Sequence, residues 1–180
     1  DKKLILFHSQ RVTNENKGMS YLIDACHQFD SDAFEVVILG GHAEEVADQL
    51  PMKAHPLGYV NDEQRIVSVY QAVDAFVLPS LSENLPNTIM EAMACGLPCV
   101  GFKVGGIPEE IDHRKNGYVA EYRNSSDLAE GIRWILEESD YEEVSRQCVH
   151  KVVQHYSQQS VALSYLDIYQ QAMAFKHYRL

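Results

Sequence analysis

Positive charge is scarce in this chain. Its 180 residues carry 15 Lys and Arg against 26 Asp and Glu, a net charge of −11. No Lys/Arg cluster is available to neutralise a run of phosphates, which argues against a nucleic-acid partner. An acidic protein can still hold a phosphorylated small molecule if it builds one local positive site. Cysteine is sparse as well. Cys26, Cys95, Cys99 and Cys148 show no CxxC spacing and read as small buried hydrophobes in a reducing compartment. No apolar run is long enough to span a bilayer and no signal-peptide pattern is present, so a cytoplasmic location is expected. Asn124-Ser125-Ser126 matches a glycosylation acceptor, but nothing else suggests secretion and the match reads as chance. His150 and His155 lack an acidic companion placed as a ligand, and no metal site is expected. The dinucleotide fingerprint GxGxxG, a Walker-type glycine loop, internal repeats and low-complexity linkers are all missing.

What remains is an ordinary globular composition. The length suits one domain, or half of a larger enzyme, burying roughly 70% of its unfolded surface. The chain begins at Asp1 without Met and enters a strand almost at once, which reads as a fragment. Apolar runs of strand length alternate with amphipathic segments. Strands are expected over Lys3–His8, Phe34–Leu39, Ala54–Tyr59, Asp74–Leu78, Cys99–Phe102 and Gly117–Ala120. Helices are expected over Lys17–Phe29, Glu44–Leu50, Asp62–Ala72, Leu85–Cys95 and Ser126–Leu136. Strands apolar on both faces and separated by helices mean a parallel sheet covered on both sides. The fold class is therefore α/β, a doubly wound Rossmann-like sheet of about six strands. In the commonest order, 3-2-1-4-5-6, strands 1 and 4 meet where the winding reverses, and the loops after them carry the chemistry. From Asp140 to Phe175 the pattern is all helical. Tyr165 and Tyr169 either pack on the sheet or form an apolar stripe for a missing partner domain.

The loop after strand 1 holds two cations, Arg11 and Lys17, with Lys17 expected to begin a helix. A diphosphate there would meet a forked guanidinium, a point charge and free backbone N–H groups together. After strand 4, Glu83 and Glu91 bracket Asn84-Leu85-Pro86-Asn87-Thr88-Ile89-Met90. Glu83 falls on the loop, and Glu91 falls within the helix on the same polar face as Asn87. A carboxylate only accepts hydrogen bonds, so Glu91 can take the hydroxyls of a vicinal diol such as a ribose, while Glu83 can accept from a sugar hydroxyl or balance positive charge on a reacting carbon. Pro86 near the helix start leaves the N–H groups of Asn87 and Thr88 for an oxygen. Gly40-Gly41-His42 allows close backbone approach after strand 2, and Gly58-Tyr59-Val60 could offer backbone groups to a nucleobase edge. Gly105-Gly106-Ile107-Pro108-Glu109 could line the sugar end, or simply form a turn and a helix start. His8, near the cleft mouth, suits a hydrogen-bonded structural role better than that of a base.

Taken together, Arg11 and Lys17, Gly58-Tyr59-Val60 with Asp62-Glu63, and Val77-Leu78-Pro79-Ser80 through Glu83 resemble the retaining GT-B glycosyltransferases of family 4, specifically their C-terminal half. Glu91-Ala92-Met93-Ala94-Cys95-Gly96-Leu97-Pro98 and Gly105-Gly106-Ile107-Pro108-Glu109 extend the resemblance, which covers roughly residues 3 to 175. The resemblance implies that residues 1–180 form a nucleotide-sugar-binding domain, with the helices over 139–180 packing toward an N-terminal acceptor domain outside this chain. It implies catalytic roles for Glu83, Arg11 and Lys17. Donor contacts would come from Gly40, Tyr59, Val60, Asn84, Leu85, Pro86, Asn87 and Glu91. It also implies a metal-independent reaction without cofactor, retention of anomeric configuration, and membrane contact only through the other half. Many members carry Gly-Phe-Gly after the first Glu where this chain has Asn84-Leu85-Pro86, so the side chains touching the sugar differ. Gln10 stands where Gly often precedes the Arg.

The expectation is a glycosyltransferase donor domain serving polysaccharide or lipopolysaccharide synthesis. The alternatives are a non-catalytic module that binds a nucleotide-sugar, and a sugar-nucleotide epimerase or phosphorylase-like enzyme built from similar paired domains. An epimerase would need more acid/base groups in the cleft than the sequence provides.

Overall fold

The computed structural model describes residues 2–177, with side chains as far as Ala174. Six strands, β1 (Lys3–Arg11), β2 (Phe34–Gly41), β3 (Ala54–Gly58), β4 (Ala75–Leu78), β5 (Cys99–Phe102) and β6 (Gly117–Ala120), form one sheet in the order β3-β2-β1-β4-β5-β6. All neighbouring pairs are parallel. Among the described residues eight α-helices accompany them: α1 (Met19–Cys26), α2 (Ala43–Ala47), α3 (Glu63–Ala72), α4 (Asn87–Ala94), α5 (Ile107–Glu110), α6 (Ser125–Arg133), α7 (Tyr141–His155) and α8 (Gln158–His177). This is the doubly wound order expected from the sequence.

The strands are apolar throughout because each face meets its own core. Ile5, Phe7, Val36, Ile38, Val77 and Val100 point to the side covered by α1, α2 and α6. Their neighbours in sequence, Leu6, Val37, Leu39, Phe76, Leu78 and Cys99, point to the side covered by α3, α4 and α5. The period-two alternation of a strand sorts one continuous apolar run into two hydrophobic layers. Helix starts are set by local capping. The side chains of Asp62, Asn124 and Asp140 accept from backbone N–H groups of the first turns of α3, α6 and α7, as N-cap residues do.

At the centre of the sheet β1 and β4 pair at Ile5–Ala75 and Leu6–Phe76, while β1 continues along β2 as far as Arg11. The carboxyl ends of the two central strands therefore face a crevice at the reversal of winding.

Several boundaries differ from expectation. Lys17 does not begin a helix: it ends a short 3-10 turn, Glu15–Lys17, and Gly18 then takes a left-handed φ of 71° before α1 starts at Met19. A Cβ at Gly18 would lie 1.9 Å from the Pro79 carbonyl oxygen, so close approach of the two central loops, rather than helix propensity, fixes the break. Helix α4 starts at Asn87 instead of Leu85, with Pro86 as N-cap rather than first helical residue. Asp74 precedes β4 and binds Lys3 Nζ and the Leu4 N–H, each at 2.8 Å. The C-terminal helical stretch is two helices, broken at Tyr156. Tyr165 and Tyr169 are 56% and 59% exposed, so they do not pack on the sheet. Of the expected domain 1–180, Asp1 and residues 178–180 lie outside the described residues.

Candidate functional site

The loops after β1 and β4 are tied directly across the crevice. The Leu81 N–H donates to the Asn16 carbonyl at 2.8 Å, and Gly18 packs on Pro79. These contacts carry Lys17 to Glu83, where Nζ lies 2.6 Å from Oε1. The Glu83 side chain is only 12% exposed and that of Lys17 30%, so this charge-assisted bond is partly shielded from water.

The loop after β5 supports Glu83 from behind. A Cβ at Gly105, which has a φ of 54°, would lie 1.8 Å from the Glu83 carbonyl oxygen, and the Gly106 N–H donates to the Asn84 carbonyl. The Gly-Gly pair thus lets two backbones touch, beyond forming a simple turn. The Tyr122 hydroxyl donates to the Leu81 carbonyl at 3.2 Å. Glu83 is held in place by backbone contacts on both sides.

Arg11 ends β1 opposite Gly41. Its side chain is exposed and Nε donates to Thr13 Oγ1 at 3.1 Å. Among the described residues no hydrogen bond or ion pair joins it to Glu83. At the start of α4 the N–H groups of Asn87 and Thr88 find no acceptor among the described residues, as the opening of a helix leaves them. Asn84, Leu85 and Asn87 are exposed beside them, and Pro86 is buried. Gly40 has a φ of 143° and abuts the Ser9 carbonyl oxygen, where a Cβ would fall at 1.8 Å. Its close approach joins β2 to β1. Tyr59 is 64% exposed at the end of β3, while Val60 packs against the core on the α3 side.

Glu91 lies one turn into α4, exposed on its outer face. Its Oε2 accepts from the Tyr70 hydroxyl at 3.3 Å, and that hydroxyl is 2.9 Å from His8 Nδ1. Burial holds the His8 pKa down to about 4, which fits the structural reading of this histidine. A cavity of about 320 Å³ between α3 and α4 opens beside the network and includes Ile66, Tyr70, Glu91 and Cys95 in its wall.

Two neighbours of this region escape sequence reasoning. Glu110, at the end of α5, is fully buried with neither carboxylate oxygen partnered among the described residues. Burial, then the charges of Glu83 and Glu109, push its pKa up to about 8. The Ser80 hydroxyl is likewise buried without a partner there. Glu109 and Glu110 adjoin in sequence, and only the packing of α5 decides which one faces inward. The pairing of the Tyr70 hydroxyl with His8 and Glu91 was not legible either. Among the described residues no group of three or more His, Cys, Asp or Glu could hold a metal ion, and no helix is long and apolar enough to cross a membrane.

Comparison with known proteins gives this arrangement a context. The family described as Glycosyl transferases group 1 matches residues 2–138. A glycosyltransferase of Methanocaldococcus jannaschii, described as uncharacterized, is 31% identical over 182 residues, which span 96% of this chain and 46% of that protein. Among solved structures, sucrose-phosphate synthase of Thermosynechococcus elongatus superposes with a TM-score of 0.82 at 21% identity, covering 97% of this chain and 46% of the other. Anabaena HepE, solved in complex with UDP-glucose, superposes at 0.80 with 23% identity, covering 95% and 49%. The chain spans about half the length of each of these three proteins.

Proposed function

The chain belongs to the glycosyl transferases group 1 family, and from that premise we propose that it is the donor-binding half of a retaining, family 4 glycosyltransferase. It binds a nucleoside-diphosphate sugar and works with an N-terminal acceptor-binding half. The enzyme transfers a hexosyl group, without a metal or other cofactor, to a saccharide or lipid-linked acceptor in polysaccharide or lipopolysaccharide synthesis. It does so in the cytoplasm or at the inner face of the membrane.

The observation that carries this reading is the Lys17–Glu83 pair at the β1/β4 crevice. A cation suited to phosphate and a carboxylate suited to sugar hydroxyls are held side by side, where an open α/β sheet binds ligands. The diphosphate would lie against Lys17, Arg11 and the free N–H groups of Asn87 and Thr88, at the positive end of the α4 dipole. As the bond from the anomeric carbon to the leaving oxygen breaks, negative charge grows on the diphosphate. These fixed donors meet it without reorganisation, and losing one such donor typically costs about 100- to 1,000-fold in rate. Glu83 accepts from a sugar hydroxyl and offsets positive charge developing at the anomeric carbon. Glu91 takes the ribose diol, and backbone groups around Tyr59 and Val60 face the base. The sugar-facing side chains are those of Asn84 and Leu85. The exposed stripe of Leu166, Tyr165 and Tyr169 on α8 suits contact with the N-terminal half.

A uridine nucleotide is the first ligand to test, because a neighbour of the same fold was solved with UDP-glucose. Thermal-shift titration with UDP, UDP-glucose and GDP should stabilise the domain by about 2.7 kcal/mol for a ligand at 100 times its dissociation constant. The isolated chain should bind donor and transfer nothing. Failure of every nucleoside diphosphate to shift the transition would overturn the reading.

A further inference from the structure

The His8–Tyr70–Glu91 network joins three separate elements, β1, α3 and α4, and has a direction. Tyr70 is 1% exposed, with its ring edge-on to Phe76 at 6.1 Å. Among the described residues its hydroxyl has two hydrogen-bond partners, His8 Nδ1 at 2.9 Å and Glu91 Oε2 at 3.3 Å. A carboxylate offers no proton, so the Tyr70 hydroxyl must donate to Glu91. The phenolic oxygen is then left to accept, which requires the proton of the imidazole to sit on Nδ1. The order is His8 Nδ1–H to Tyr70 oxygen, and Tyr70 O–H to Glu91 Oε2.

We propose that Tyr70, itself aimed by His8, is a positioning residue that holds the Glu91 carboxylate in the orientation that reads a ribose diol. On this view, preference for a ribonucleotide over its 2′-deoxy counterpart depends on a hydroxyl that never touches the ligand. The inference rests on the donor-site reading above and deepens it.

Three observations support the assignment. Glu91 is exposed on the outer face of a helix, where an untethered side chain would sample several rotamers. Fixing one in advance removes an ordering cost from binding. The tether occupies Oε2 only, so Oε1 remains for the ligand. The chemistry of the tether is also constant over a wide pH range. Burial keeps His8 neutral down to about pH 4, and burial together with Glu91 raises the Tyr70 hydroxyl far above its ordinary pKa. A site built to bond a hydroxyl rejects the analogue lacking it, so the ribo/deoxy ratio reports directly on Glu91.

Calorimetry on the 180-residue chain with UDP and GDP, each beside its 2′-deoxy form, tests the proposal. Tyr70→Phe removes one oxygen and leaves the buried ring. It should lower the ribo/deoxy affinity ratio by about fivefold, the order expected for one lost hydrogen bond, with a smaller loss for the deoxy form, which offers Glu91 only its 3′-hydroxyl. In a Glu91→Ala background the same substitution should leave the ratio unchanged, as a coupled pair requires. If Tyr70→Phe fails to fold, His8→Leu, with Tyr70 intact, should lower the ratio in the same direction. An unchanged ratio in either folded variant would sink the inference. So would an equal loss for both nucleotides, or a loss that persists without Glu91. Wild-type protein that binds ribo and deoxy forms equally would remove Glu91 from the diol, and the inference with it. Wild-type protein that binds no nucleotide would overturn the donor-site reading itself.

Discussion

Lys17 and Glu83 are 66 positions apart in sequence, yet the ammonium of one lies 2.6 Å from the carboxylate of the other. The free site is thus self-neutralised. On the proposed function a diphosphate would have to draw Lys17 away from Glu83, and the sugar of a complete donor would give Glu83 a new partner. Glu83→Gln should therefore tighten binding of a bare nucleoside diphosphate severalfold, consistent with a partly exposed ion pair worth up to about 1 kcal/mol. The same variant should abolish transfer in the two-half enzyme. Calorimetry with UDP and with UDP-glucose separates the effects. Weaker UDP binding by Glu83→Gln would contradict this competition.

Arg11 is exposed at the end of β1 with its guanidinium bound only to Thr13 among the described residues. Its substitution should cost affinity and little stability. Arg11→Ala is expected to weaken nucleoside-diphosphate binding by about 1.5–3 kcal/mol, the range for hydrogen bonds to a charged group, while leaving the thermal midpoint close to wild type. Equal affinities for the two proteins would remove Arg11 from the site.

Gly18 is the joint between the two central loops. An L-residue there would adopt a left-handed conformation and drive its Cβ to 1.9 Å from the Pro79 oxygen. Gly18→Ala should destabilise the domain by more than about 2 kcal/mol, because the backbone penalty alone is of order 1–2 kcal/mol. Gly41→Ala is the control: its Cβ would meet the Gln10 oxygen at a more tolerable 3.2 Å. Urea unfolding should rank the two clearly, and similar midpoints would show that the loops separate without cost.

Glu110 gives the fold a pH dependence with a definite sign. Its pKa in the folded protein is raised to about 8 by burial and by Glu83 and Glu109. The native state therefore keeps a proton that the unfolded chain has already released. Stability from this group is fully present below the ordinary carboxylate range, declines as pH rises toward about 8, and levels above it. Glu110→Gln should remove that decline. Urea midpoints of both proteins from pH 5 to 9 would reveal it, and parallel profiles would dissociate Glu110 from the effect.

The order of the sheet was legible because runs such as Leu4-Ile5-Leu6-Phe7 and Ala75-Phe76-Val77-Leu78 are apolar on both faces, a pattern that only a covered parallel sheet explains. The crevice followed from topology, which set the loops of Lys17 and Glu83 facing each other, but the ion pair between them was not expected. Helix starts were less legible. Lys17 looked like the first residue of a helix because the apolar period begins nearby. The break at Gly18 is imposed by a carbonyl 61 positions downstream, which local periodicity does not register. The tether on Glu91 and the burial of Glu110 were hidden for a related reason. Each depends on which way one polar side chain turns within a packed layer, and Glu109 beside Glu110 shows that composition alone does not choose.

Gly105 and Gly106 press against the carbonyls of Glu83 and Asn84 with no room for even a methyl group. Lengthening or reshaping that hairpin-like passage would push two main chains apart. If Asn84 and Leu85 face the sugar as proposed, laboratory selection for a new sugar should enrich exchanges at these two positions, whose side chains reach solvent, and discard insertions on either side of them.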